Sequence, residues 1–257
     1  MLLVDLEARG DAALGWAQAH DVVLLPQERG LGAQLRSPRE AQLWLGAHVV
    51  LRHVVGAATR RPPGTLDFQR SEYGKPRVPG VEFSLSHSAG LVAVAVGIGG
   101  GGGGASGTIG GSGDSAGHAD AASLGDLETG VRPLHVGVDV EADLDPRAAA
   151  DILPLLHPAE RQALEALGAG AIGGSAAQLW VRKEAFLKAL GLGLSRDPAL
   201  DLVGAGPTPL TPSGWEGRAA IVDLPVLVGA GGMRFRAAVC TVQGKDPEAA
   251  PATTVKP

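Results

Sequence analysis

Glu184 and Lys188 stand four residues apart in Trp180-Val-Arg-Lys-Glu-Ala-Phe-Leu-Lys188. A helix would therefore stack an acid and a base on one face. Upstream, Val136-Gly-Val-Asp-Val-Glu141 reads as a strand in which Val136, Val138 and Val140 point one way and Asp139 and Glu141 the other. Two carboxylates from a strand could then meet a third from a helix. Such a trio could hold a divalent metal against phosphate oxygens, with Lys188 neutralising charge that the metal leaves uncovered. Each piece also has a plainer reading. Asp-x-Glu is commonly the solvated face of an edge strand, and an i,i+4 Glu–Lys pair is commonly a surface ion pair worth roughly 0.3 kcal/mol. The Val-rich context, which suggests burial, and Trp180 on the same side as Glu184 weigh against those readings.

Other candidates compete less well. Ser86-His87 lacks a Gly-x-Ser-x-Gly elbow, and adjacent strand residues diverge, so a serine hydrolase ranks low. His87 suits phosphate recognition better, beside the reading of a satisfied structural histidine. Lys75, between Gly74 and Pro76, is a preordered loop cation or simply a solvated turn lysine. Glu160 follows Pro158 by two residues, where an acid favours a helix start. Cys240 is the only cysteine, which excludes an internal disulfide framework and suits a reducing cytoplasm.

Several elements must position these groups. Ser37-Pro38-Arg39-Glu40 is a capping box that opens a helix to about Ala57, with Leu43, Trp44, Ala47, Val50, Leu51, Val54 and Val55 as its core stripe. A strand over Val81–Ser86 and a second over Leu91–Val96 form a hairpin, preceded by a loop at Tyr73-Gly74-Lys75-Pro76. Asp145-Pro146 and His157-Pro158 start two short helices, the second ending at Gly168. Ser175 and Gln178 form a capping box ahead of the Trp180–Leu190 helix, which Gly191 terminates. Strands near 218–224 and 233–242 follow.

The chain of 257 residues is 45% apolar and carries a formal charge of -5, which argues against nonspecific nucleic-acid or anionic-membrane binding. Charges at Asp5, Glu7, Arg9 and Asp11 interrupt any secretory apolar core. The expected organisation is an N-terminal lobe over 1–98, a Gly-rich flexible insert over 99–131 and a C-terminal lobe over 132–242. A disordered tail over 243–257 completes it. The insert has no Gly-Lys-Ser/Thr ending, so it is not a P-loop. Strands and helices mix without strict alternation, which points to an α+β fold of two lobes with a ligand cleft between them.

Taken in order, Gly74-Lys75-Pro76, Phe83-Ser-Leu-Ser-His-Ser88, Gly137-Val-Asp-Val-Glu141 and Trp180-x-x-Lys-Glu-Ala-x-x-Lys188 with Gly191-x-Gly193 resemble the 4'-phosphopantetheinyl transferases of the surfactin-synthetase type. The resemblance spans about 37–242 without the insert, and implies two similar lobes, each a small mixed or antiparallel sheet packed with helices. It implies transfer of the phosphopantetheine arm of coenzyme A to a serine of an apo acyl or peptidyl carrier protein, releasing adenosine 3',5'-bisphosphate. By it, Asp139, Glu141 and Glu184 match Mg2+ ligands, Lys188 and Lys183 match positions on the pyrophosphate, and Lys75, Ser86 and His87 match positions around the nucleotide and its 3'-phosphate. Glu184 is the favoured base, with Glu160 or a bound water as alternatives. Where the family usually carries a 3'-phosphate arginine, this chain has Leu43, and Arg36 or Arg39 is the candidate replacement. A monomer in the cytoplasm is the default. The rival readings are an Mg-dependent phosphohydrolase and a noncatalytic CoA- or carrier-binding protein.

Overall fold

The computed structural model describes residues 1–97 and 134–244. The expected insert and most of the expected tail lie outside them. Described elements run β1 (Leu2–Asp5), α1 (Ala8–Ala19), α2 (Pro26–Gly32), α3 (Pro38–Thr59), β2 (Gln69–Arg70), β3 (Pro76–Arg77), β4 (Glu82–Ser88) and β5 (Leu91–Gly97). After them come β6 (Leu134–Ala142), α4 (Pro146–Ile152), α5 (Pro158–Glu165), α6 (Ala169–Leu190), β7 (Ala219–Asp223), β8 (Leu227–Val228) and β9 (Arg234–Gln243). The fold is α+β, with antiparallel pairing throughout the described strands.

Two sheets organise it. The N-terminal sheet has the order β1-β5-β4, and the C-terminal sheet has β6-β9-β7 with β8 also on β9. Helix α3 begins as its sequence dictates: Ser37 Oγ accepts from the Glu40 amide at 3.1 Å, and the Glu40 carboxylate accepts from the Ser37 amide at 3.2 Å. Its stripe (Ala47, Val50, Leu51, Val55) packs with Phe83, Val92 and Val94 into the N-terminal core. In the C-terminal half, Val181, Ala185, Phe186 and Ala189 of α6 pack on Ile221, Ala238 and Cys240.

Strand β5 is buried on both faces. Val92 and Val94 face the N-terminal helices, while Leu91, Ala93 and Ala95 pack with Val136, Val138, Val140 and Phe235 in a third core between the sheets. Beside that core, Ser84, Ser86 and Ser88 of β4 accept hydrogen bonds from the amides of Val138, Val140 and Ala142, at 3.0, 3.4 and 3.4 Å. Hydroxyls thus satisfy the edge amides of β6, which would otherwise be costly to bury.

Several boundaries differ from the sequence reading: β4 runs to Ser88 rather than Ser86, and α5 ends at Glu165 rather than at Gly168. Helix α6 opens at Ala169 rather than at Ser175, so Ser175 and Gln178 lie within it, and the Gln178 amide donates to Asp223 at 2.9 Å instead of capping. The Tyr73–Pro76 loop is the turn of the short β2–β3 hairpin, in which Arg70 faces Pro76. Gly191 does end α6, in the left-handed conformation at φ 76°.

Candidate functional site

Gly137 explains how α6 reaches β6. A Cβ at this position would lie 1.9 Å from the Ala185 carbonyl oxygen, so only glycine lets the helix lie this close to the strand. The face of β6 that carries Gly137, Asp139 and Glu141 therefore looks onto the turns of α6 that carry Glu184 and Lys188.

There, Lys188 Nζ donates to Asp139 Oδ1 at 2.6 Å and to Ser86 Oγ at 3.2 Å, and Ser86 Oγ donates to the same Asp139 oxygen at 2.6 Å. Asp139 is 6% exposed at its side chain and Lys188 27%, so the acid is sealed while the ammonium still meets solvent. Glu141 Oε1 accepts from Ser88 Oγ at 3.1 Å. Desolvation raises the Glu141 carboxyl's pKa, and the charges of Asp139 and Glu184 add to the rise against Ser88 and Lys188. Desolvation likewise raises Glu184, opposed by Lys188 and helped by Asp139. The three expected acids thus share one electrostatic neighbourhood. Among the described residues, however, no three His, Cys, Asp or Glu side chains are grouped closely enough to hold one metal ion.

A cavity of about 580 Å³ spans both halves and includes Lys188, Gly191, Gly193, Lys75, Ser84, Trp44 and His48 in its wall. Lys75 Nζ donates to Glu82 at 3.2 Å and to the Val136 carbonyl at 3.3 Å, which ties the β2–β3 hairpin to β6. His135 lies 3.5 Å from the other Glu82 oxygen. Although desolvation opposes it, His135 and Lys75 together hold the Glu82 pKa below the usual carboxylate range. His87 is exposed; desolvation and the Lys188 cation lower its pKa, against the pull of Asp139.

Four expected residues are placed elsewhere. Lys183 does not face the cavity: its Nζ sits 2.6 Å from Glu160 Oε2 with both side chains 1% exposed, and donates to the carbonyls of Pro198 at 2.9 Å and Asp201 at 2.5 Å. Helix geometry is the reason, since five residues turn about 140° and separate Lys183 from the face of Lys188. The same burial removes Glu160 as a base, because its Oε1 accepts from the amides of Val203 and Gly204 at 2.7 and 3.0 Å. Arg39 is paired with Glu7 at 2.6 Å, and Arg36 is exposed; neither is in the cavity wall, and Leu43 packs into the N-terminal core. Trp44, expected in the core stripe, instead lines the cavity, stacked on His48 at 3.6 Å between centroids, and Arg52 and Arg70, which the sequence reading passed over, line it too. A hydrophilic residue recurring inside the apolar stripe of α3 was the available signal for Arg52 and His48.

Fold and site together define an α+β protein whose interface cavity meets, at Lys188, a cluster of a serine, a buried acid and a lysine. Residues 135–209 match the family model described as the 4'-phosphopantetheinyl transferase superfamily. The matched stretch contains Asp139, Glu141, Glu184 and Lys188 together with the buried Glu160–Lys183 pair. No curated protein sequence matches the chain. No described helix is long and apolar enough to cross a membrane.

Proposed function

We propose that the protein transfers the 4'-phosphopantetheine arm of coenzyme A to a serine hydroxyl of an apo carrier protein of the acyl or peptidyl type, in the manner of the surfactin-synthetase-activating enzymes. The observation that carries this reading is the cluster of Lys188, Asp139 and Ser86, whose lysine lines a cavity between the two halves and, with Asp139, lies inside the stretch that matches the family model. A cavity of this size suits a nucleotide-sized ligand.

The reaction passes a phosphoryl group from one oxygen to another, so the protein's work is positioning and charge compensation. Lys188 supplies a partly exposed ammonium, held at one place by Asp139 and Ser86, toward which a diphosphate can be drawn. Lys75, fixed to β6 through Val136, holds the β2–β3 hairpin as a wall of the cavity. Glu184, whose carboxyl desolvation raises above its ordinary pKa and so makes more basic, is the group assigned to accept the serine proton.

Asp139, Glu141 and Glu184 are the residues assigned to Mg2+. Their hard oxygen donors and mutual repulsion favour a divalent cation that would offset charge on the diphosphate, but as placed the three side chains are not grouped closely enough to hold one ion, so binding would require them to draw together. Addition of EDTA should abolish transfer, and Mg2+ should restore it. A monomeric, cytoplasmic enzyme remains part of the proposal.

The test is intact-mass analysis of several apo carriers after incubation with coenzyme A and Mg2+. A gain of one phosphopantetheine on the carrier supports the reading. Breakdown of coenzyme A with no gain would point to a phosphohydrolase, and binding with neither change to a noncatalytic protein.

A further inference from the structure

A second cleft, of about 460 Å³, lies on the other flank of α6. Residues two apart on a helix are turned by about 200°, so Arg182 faces away from Glu184. Arg182 and Gln178 reach Asp223 of β7, the outer strand of the C-terminal sheet, whereas Lys188 reaches Asp139 of β6. The two clefts share no lining residue. Whatever enters the second is therefore not held by the Lys188 cluster.

Its wall is built from charge. Three arginines, Arg182, Arg234 and Arg236, meet two acids, Asp143 and Asp223, which leaves one positive charge in surplus. Arg182 is buried; its Nε donates to Asp223 Oδ1 at 2.9 Å, its Nη2 to Asp223 Oδ2, and its Nη1 to the carbonyls of Gly204 and Gly206. Arg236 Nε donates to Asp143 Oδ1 at 2.7 Å, and its Nη2 to Oδ2 at 3.4 Å. Guanidinium groups thus consume both acids, and the cleft does not suit a divalent cation. Arg234 is the surplus charge: its side chain is 58% exposed, and its ion pair with Asp143 spans 3.6 Å, beyond hydrogen-bond reach. Ser175 adds a hydroxyl to the same wall. Gly174 lets the Arg236 guanidinium lie against α6, since a Cβ there would come within 2.6 Å of Nη2.

We propose that this cleft is a second ligand site, which takes the phosphate group of a small phosphorylated molecule between Arg234, Arg236 and Ser175. A planar guanidinium offers the paired donors that a phosphate accepts, and a hydroxyl can add a further bond. A cleft of this volume is in the range of small-molecule sites. The site does not depend on coenzyme A being the ligand of the first cavity.

The experiment is calorimetric titration of inorganic phosphate, and separately of acetate, into the full chain carrying Lys188→Ala, which removes a cation of the first cavity. The same titrations are run with Arg234→Gln or Arg234→Lys added. Lys188→Ala should bind phosphate more tightly than acetate. Adding Arg234→Gln should weaken one bound phosphate about tenfold, the factor expected of hydrogen bonds to a charged group. Arg234→Lys should keep part of that affinity, and melting temperatures should match because Arg234 is exposed. Phosphate binding untouched by Arg234→Gln, no phosphate binding by Lys188→Ala, or acetate bound more tightly than phosphate would each overturn the proposal while leaving the coenzyme A reading as it stands.

Discussion

Helix α6 carries two lysine–carboxylate pairs with the same 2.6 Å separation and opposite surroundings. The Lys183–Glu160 pair is sealed, each side chain 1% exposed, and its partners are backbone groups of the 198–204 segment. Arg196 adds a second layer by bonding Asp201 at 2.7 and 2.9 Å. The Lys188–Asp139 pair ends at a cavity, its lysine partly open to water and its remaining neighbour a hydroxyl. A salt bridge by itself therefore identifies nothing. A pair whose every donor and acceptor is consumed by backbone holds a loop in place, whereas a pair left with an open side can exchange its partner for a ligand.

Removing one member of the sealed pair should cost most in stability. Glu160→Ala should lose about 3–5 kcal/mol in urea unfolding, because Lys183 would stay buried without its counter-charge. Lys183→Met also strands a buried charge, Glu160, and should cost stability of the same order, while transfer per folded molecule stays near normal if the pair only supports the fold. Gly137→Ala probes the contact that brings the open pair together: with the Ala185 oxygen 1.9 Å away, α6 must shift, and we expect a loss of about 3 kcal/mol together with much of the activity. Lys188→Ala should lower the unfolding midpoint less than Glu160→Ala does, because Asp139 keeps the Ser86 hydroxyl, while lowering turnover by roughly 10²–10³.

Titration separates the regions more gently. Burial holds the pKa of His48 below its ordinary value. As pH falls through about 6.5 the unfolded chain takes up a proton before the native state does, so stability declines on acidification. His48→Gln should flatten this slope in urea midpoints measured from pH 7.5 to 5.5. Smallest of all, Cys240 is buried with its thiol pushed up to about 12, so a thiol reagent at pH 8 should label it only after unfolding.

Much of this site is legible in the residues. The capping box at Ser37, the alternation of β6 and the four-residue spacing of Glu184 and Lys188 each follow from local geometry, and each recurs in the fold. Lys183 was readable too, since its angular distance from Lys188 on a helix already sets it apart. The serine seam was not, because alternation shows that Ser84, Ser86 and Ser88 share a face but not that β6 lies against it. Spacing brings Asp139, Glu141 and Glu184 to one neighbourhood but not to one ion position, which depends on side-chain rotamers that no spacing determines. Arg70 escaped notice because nothing near it in sequence shows that its hairpin forms a wall of the cavity. The short elements before Ser37 gave no strong periodic pattern and are held by packing against α3 and β5.

The most direct measurement sets the two pairs of α6 side by side: intact mass of an apo carrier after timed reaction with coenzyme A and Mg2+, catalysed by wild type, Lys188→Ala or Lys183→Met. The account predicts rapid phosphopantetheine addition by wild type and, per folded molecule, by Lys183→Met, and near absence of addition by a fully folded Lys188→Ala. Undiminished addition by Lys188→Ala, or no addition by wild type to any carrier, would contradict it.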